Sequence, residues 1–166
     1  MEPNKAKQFT LPFNIISLHD VSKLINELDN IDNFFLQVQA RRSGENMNLP
    51  QTSATMENLL QQNQLNLLKA EDREKLKYIL QTLRNKAPIV HMSFSADPDR
   101  VFMEKIIAWF RSSVHPMMLL QVGLQPNIGA GFTLRTPNHF FDFSLRQHLL
   151  KHTDLLIKEL TQGVKL

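Results

Sequence analysis

The residues that could do chemistry in this sequence are concentrated near its end. His148 and His152 are four residues apart, a spacing that puts two imidazoles on one face of a helix, as in a zinc site. A helical zinc protease would carry Glu directly after the first histidine, whereas this chain has Leu149 there. We therefore predict that the pair lies on a solvated helix surface and that the chain binds no metal.

A hydrolase triad is the second possibility in this region. Ser144, His148 and Asp154 have the required residue types, but no nucleophile-elbow pattern surrounds Ser144. The simpler prediction is that Ser144 caps the terminal helix, sharing that role with Asp142. We expect no catalytic residue, and a hydrolase centred on Ser144 is kept as an alternative.

A phosphate cradle is the third possibility, because Gly129-Ala130-Gly131 resembles part of a nucleotide-binding loop. The dinucleotide motif needs a third glycine that opens a helix, and Leu134 occupies that position inside a predicted strand. Glycine within a strand lets another element approach the backbone closely. We predict that role for Gly131, and we expect no cofactor.

Composition narrows the classes of function further. The chain has 166 residues, no cysteine and a net charge of +3, and its basic residues after Arg111 are isolated from one another. Nucleic-acid grooves usually combine dense positive charge with stacking aromatics, so we expect no nucleic-acid partner, although a basic adaptor stays possible. The longest apolar run is far shorter than the ~20 residues of a membrane span. We expect a cytoplasmic protein that meets membranes only through partners.

An α+β fold in three segments would position these residues. Residues 1–50 are predicted to hold an N-terminal β-α-β segment and a polar linker, and residues 51–87 a helical connector. The predicted N-terminal elements are a strand over Phe9–Ser17, a helix over Val21–Leu28 begun by Asp20, and a strand over Asn33–Ala40. The two linking helices are one that ends near Leu65, capped by Thr52 or Ser53, and one over Ala70–Arg84.

Residues 88–166 give the clearest pattern, a β-α-β-β-β-α module with amphipathic helices. Val90, Met92 and Phe94 alternate with polar residues, which indicates a half-buried strand. A helix should follow to about Ser113, and three further strands should be separated by Pro- and Asn-containing turns. The predicted buried stripe of the last helix is Leu145, Leu149, Leu156 and Leu160.

Residues 88–160 resemble the C-terminal domain of the delta subunit of F-type ATP synthase, the family of the oligomycin-sensitivity-conferring protein. Four stretches carry the resemblance: Ile89–Ser95, Met118–Gln125, Asn127–Arg135 and Phe141–Arg146. The residues of this motif are Gly129, Gly131, Asp142, Ser144 and Arg146. Two positions depart from it, because Gln125 replaces an acid and Phe143 replaces a glycine.

The resemblance implies a non-catalytic stator subunit of a bacterial peripheral stalk. Such a subunit joins the stalk b subunit helices to the alpha subunits of the catalytic head during proton-driven ATP synthesis, at the inner face of the cell membrane. The family also has a six-helix N-terminal domain. We predict that Trp109, Met117 and Leu119, with the terminal helix, receive the stalk helix. Stalk subunits of V-type ATPases and of flagellar export ATPases are alternatives with a similar α/β plan.

Overall fold

The computed structural model describes residues 9–40, 50–154, 157–158 and 161. The helices are α1 Leu18–Ala40, α2 Ala54–Asn63, α3 Ala70–Lys86, α4 Arg100–Ser113 and α5 Leu145–Lys151. The strands are β1 Ile89–Phe94, β2 Leu119–Leu124, β3 Gly131–Arg135 and β4 Phe140–Ser144, with a short 3-10 helix at Pro126–Ile128. The chain is therefore α+β, as the sequence predicts.

The chain divides into two compact units. The first contains residues 1–88 and 104–119, and the second contains residues 89–103 and 120–166. Residues 104–119, which the sequence pattern assigns to the C-terminal module, thus group with the helical first unit.

Helix α1 begins with a reciprocal cap. The Ser17 hydroxyl accepts the Asp20 backbone N–H at 3.3 Å, and the Asp20 carboxylate accepts the Ser17 N–H at 2.9 Å. This Ser-x-x-acid arrangement satisfies backbone donors that a helix start otherwise leaves free. The helix then buries one continuous stripe, formed by Val21, Leu24, Ile25, Leu28 and Ile31.

The predicted N-terminal β-α-β segment is wrong. Residues 33–40 continue α1 instead of forming a strand, and residues 9–17, all described, form turns and irregular structure. The reason is contact with α3: the Arg73 guanidinium bonds Asp32 at 2.6 Å and lies 4.4 Å from the centre of the Phe35 ring. Asp32 and Phe35 are three residues apart, so a helix presents both of them to Arg73.

The two linking helices are confirmed. Ser53 caps α2, because its hydroxyl accepts the Met56 N–H at 3.2 Å, and Gln64 ends that helix in the left-handed conformation. Helix α3 buries Leu76, Leu80 and Leu83 on a single face. That period of three and four residues is the amphipathic pattern that the sequence displays.

The second unit is built on a four-stranded sheet with the order β2-β1-β3-β4. Strand β3 is antiparallel to both β1 and β4. Strand β2 runs parallel to β1, since Leu119 N–H bonds Pro88 and Gln125 N–H bonds Phe94, so both strands advance together. The predicted order β-α-β-β-β-α is confirmed.

The register gives the sheet two faces of different chemistry. Residues paired directly across antiparallel strands point to the same side. One side, the aromatic face, carries Phe94, Phe132 and Phe143 in one row and Met92, Leu134 and Phe141 in the next. The other side, the polar face, carries Ser93, Thr133 and Asp142 in one row and His91, Arg135 and Phe140 in the next.

Candidate functional site

The aromatic face is buried at β1 and open at β4. The rings of Phe94 and Phe132 are 5.8 Å apart, those of Phe132 and Phe143 are 5.1 Å apart, and Phe141 stacks on Phe143 at 6.3 Å. Phe94 is only 6% exposed, whereas Phe141 is 45% and Phe143 is 56% exposed. Phe102 of α4 packs edge-on against Phe94, which covers the inner end of the row.

Helix α5 adds apolar surface directly after β4. Leu145, Leu149 and Leu150 are all exposed, although the amphipathic stripe predicts that Leu145 and Leu149 are buried. That prediction is wrong for these two residues, because no described element covers them. Leu156 and Leu160 lie outside the described residues. Strand β4 and helix α5, which follow one another along the chain, therefore both carry exposed apolar side chains.

Three residues of the predicted motif meet at the junction of β3, β4 and α5. Gly131 pairs with Ser144 across the strands, and its φ of +95° is accessible mainly to glycine. The Asp142 carboxylate accepts the Ser144 N–H at 2.9 Å, and the Ser144 hydroxyl caps α5 by accepting the Gln147 N–H at 3.2 Å. The predicted capping role of Ser144 is confirmed.

The other two motif residues do not join this cluster. Gly129 ends the 3-10 helix with a φ of +80°, and a side chain there would meet no atom within 4 Å. Arg146 is exposed on the first turn of α5. The sequence motif therefore divides into a junction that sets the path of the chain and two positions outside it.

The predicted partner residues differ in their exposure. Trp109 is 59% exposed and packs edge-on against Phe110 at 5.0 Å, so most of its ring is available to a partner. Met117 is half-buried. Leu119 is fully buried, because Met118, Leu119 and Leu120 are all core residues at the start of β2. Leu119 therefore has no surface for a direct contact, which corrects its prediction as a partner residue.

Arg111 is a notable residue that the sequence reasoning missed. Its guanidinium is buried and donates to four backbone carbonyls: Leu11 at 3.1 Å, Pro12 at 2.8 Å, Ile15 at 2.6 Å and Met118 at 3.1 Å. Desolvation lowers the pKa of Arg111 to about 10, so the group stays cationic at neutral pH. These bonds hold the irregular segment before α1 in place.

Ser144, His148, His152 and Asp154 are the residues considered for catalytic or metal chemistry. Ser144 is 5% exposed and its hydroxyl is used as a helix cap, while His152 and Asp154 are exposed. The side chain of His148 lies outside what the structure describes. Among the described residues, no three or more His, Asp or Glu side chains are grouped as a metal would require.

The polar face contains a cavity of about 580 Å³. Its walls are His91, Ser93, Gln125, Thr133, Arg135, Thr136, Pro137 and Phe140. Two of these residues are a cation and an imidazole, and no carboxylate is among them. The cavity is therefore suited to groups that accept hydrogen bonds.

Comparison with known proteins places the chain in no family: no family model matches it, and no curated protein matches it significantly. None of the described helices combines the length and the apolar character that crossing a membrane requires.

Proposed function

We propose that the protein is a non-catalytic stator subunit in the peripheral stalk of a rotary F-type ATP synthase. It would tether the membrane-anchored stalk helices to the catalytic head during proton-driven ATP synthesis, at the inner face of a bacterial membrane. The resemblance of residues 88–160 to the C-terminal domain of the delta family supports this proposal. So does the element order of the second unit, β-α-β-β-β-α, which is the order expected from that resemblance.

The helical first unit also favours the proposal. The delta family has a helical N-terminal domain, and residues 18–40 and 54–86 of this chain contain α1, α2 and α3, including the stretch where the sequence pattern predicts a strand. The family's bundle has six helices and is longer than this segment. The contact with the catalytic head would therefore use a smaller helical surface.

The exposed apolar run on β4 and α5 is the observation that carries the proposal. A tether needs a stable apolar surface onto which an amphipathic helix can lay its own apolar side. Phe141 and Phe143 are each about half exposed, so a partner would cover about 80 Å² of each ring. At about 25 cal/mol per Å², each ring would contribute roughly 2 kcal/mol, or about thirtyfold in affinity.

The direct test is affinity purification of the tagged protein from native membranes. The stalk b subunit and the alpha subunits of the catalytic head should be recovered together with it. Recovery of neither partner under conditions that keep the synthase intact would rule the proposal out.

Filter binding at low and moderate salt tests the alternative of a basic nucleic-acid adaptor, for which the affinity for nucleic acid should fall steeply with salt.

Strand β4 supplies matched variants for the docking surface. Phe143→Ser removes an exposed ring from the aromatic face and should weaken capture of the stalk helices by about thirtyfold. Phe140→Ser removes an equally large ring, 63% exposed, from the opposite face and should leave capture unchanged. Equal effects of the two variants would show that the aromatic face is not the docking surface.

Trp109 forms a separate part of the test, since it belongs to the first unit. We propose that its exposed ring also contacts the stalk. Trp109→Ala should then reduce capture without changing the melting temperature, because the ring is only at the margin of the core. Unchanged capture would remove Trp109 from the proposed surface and leave the aromatic face as its site.

A further inference from the structure

The cavity on the polar face places a cation among hydrogen-bond donors without an acid to neutralise it. Arg135 on β3 lies directly opposite His91 on β1, and Thr133 lies opposite Ser93 one row away. Among the described residues, Arg135 forms no ion pair and no side-chain hydrogen bond. Thr133 is only 8% exposed, yet its hydroxyl also lacks a hydrogen-bond partner among the described residues. Arg135 is exposed and the Thr133 hydroxyl keeps some accessible surface, so a ligand or water can reach both donors.

The nearest acid on the same face is engaged elsewhere. Asp142 pairs with Thr133 across the strands, but its carboxylate accepts the Ser144 N–H at the start of α5. Asp142 is not among the residues that line the cavity. Arg135 therefore lines a cavity whose other lining residues include neutral polar side chains and an imidazole but no carboxylate.

Of the remaining lining residues, Gln125 and Thr136 are polar, and Pro137 and Phe140 are apolar. Pro137 follows β3 in the turn toward β4, and Phe140, which is 63% exposed, stands opposite Arg135 on β4. The volume of about 580 Å³ lies within the range of small-molecule sites and is far larger than one phosphate ion needs. A ligand that fills it would have both an anionic group and an apolar part.

We propose that this cavity binds a small organic molecule that carries an oxyanion, either a phosphate ester or a carboxylate. The guanidinium of Arg135 binds two oxygens of the anion, because its planar donors match both groups in a bidentate manner. The hydroxyls of Thr133 and Ser93 donate to the same anion. The apolar part of the molecule lies on Phe140 and Pro137. The site is on the face opposite the proposed docking surface and does not depend on the stalk function.

Titration followed by two-dimensional ¹H–¹⁵N NMR tests the site on the full chain. The probes are phenyl phosphate, benzoate and inorganic phosphate, each added at constant ionic strength with sodium chloride as the reference. Saturable shifts are expected at the amides of Ser93, Thr133 and Thr136. The aromatic probe that binds more tightly identifies the anion. Its affinity should exceed that of inorganic phosphate by about tenfold, because its ring contacts the apolar residues. Shifts that grow linearly with every probe, or that sodium chloride reproduces, would overturn the proposal.

Matched variants separate the anion contact from the ring contact. Arg135→Gln should weaken the better probe about tenfold or more, whereas Arg146→Gln, which removes an exposed arginine outside the cavity, should not. Phe140→Ala should abolish the advantage of the aromatic probe over inorganic phosphate and leave phosphate binding intact. Equal affinity of the Arg135→Gln and Arg146→Gln proteins, both with dispersed native spectra, would refute the site.

Discussion

Replacement of Gly131 by alanine should destabilise the second unit by about 4 kcal/mol. Two independent effects add at this position. The φ of +95° is unfavourable for any residue with a Cβ, at a cost of about 1–2 kcal/mol. A Cβ would also overlap the carbonyl oxygen of Phe143 and lie 3.1 Å from the Ser144 Cα, so β4 must move away. Overpacking of this kind costs about 1–3 kcal/mol.

Gly129 is the internal control, because it has a positive φ like Gly131 but no close neighbour that an added Cβ would meet. Its φ is +80°, and an added Cβ would meet nothing within 4 Å. Gly129→Ala should therefore cost only about 1–2 kcal/mol. The difference between the two variants measures the close approach of β3 to β4.

Urea unfolding of both variants is the assay, with the midpoint and slope fitted together. The slope should stay constant if unfolding remains two-state, and the Gly131→Ala midpoint should be the lower of the two. Thermal unfolding should follow, with a fall of about 10 °C for Gly131→Ala against about 4 °C for Gly129→Ala. Losses that agree within ~0.5 kcal/mol would refute the steric argument, since only backbone conformation would then matter.

Three other variants test the contacts of Arg111, Arg73 and Ser144. Arg111→Met should lower the free energy of unfolding in urea by about 3 kcal/mol, because it leaves four carbonyls without their shared donor. A loss below ~1 kcal/mol would contradict this. Arg73→Met should lower the free energy of unfolding by about 1–2 kcal/mol, and Lys77→Met by less than ~0.5 kcal/mol. The difference is expected because the Arg73 side chain is 11% exposed and that of Lys77 is 36% exposed. A larger loss for Lys77→Met would count against the burial argument. Ser144→Ala should cost about 1 kcal/mol and increase amide exchange at the start of α5, and unchanged exchange would show that the cap is dispensable.

The C-terminal module could be predicted from the sequence because its signals are local. The alternation from Val90 to Phe94 predicts a strand within five residues, and the turn after Arg135 is marked by Pro137 and Asn138. Each of these patterns depends on neighbours along the chain, which the sequence displays directly. Their order along the chain then follows without any knowledge of long-range contacts.

The error in residues 33–40 has the opposite origin. Phe34, Leu36 and Val38 alternate in a way that predicts a strand equally well. The helix is favoured by Arg73, which is 41 residues away from Asp32 in sequence. A contact at that distance is invisible to a periodicity argument, and strand propensity alone is too weak to decide the conformation.

Burial is harder to predict from this sequence than secondary structure. Leu119 is predicted to receive the stalk helix, but the apolar residues around it are also typical of a strand end buried on both sides. Arg111 shows the same limit, since its acceptors at Leu11 and Pro12 are about 100 residues away. A charged residue beside an apolar stripe is normally predicted to be exposed. Only the folded structure shows that backbone carbonyls converge on the Arg111 guanidinium.

The distribution of exposed aromatic rings argues for a partner more strongly than their number does. Isolated apolar side chains are normal on protein surfaces, whereas clustered ones attract other chains. Here the rings are concentrated on β4, which is an edge of the sheet as described, and edge strands already offer unpaired backbone groups. Asp142 is the only charge in that strand, so little on β4 itself would discourage association. A helix laid over Phe141 and Phe143 would cover the apolar surface at this edge, which is the physical need that a stalk partner would meet.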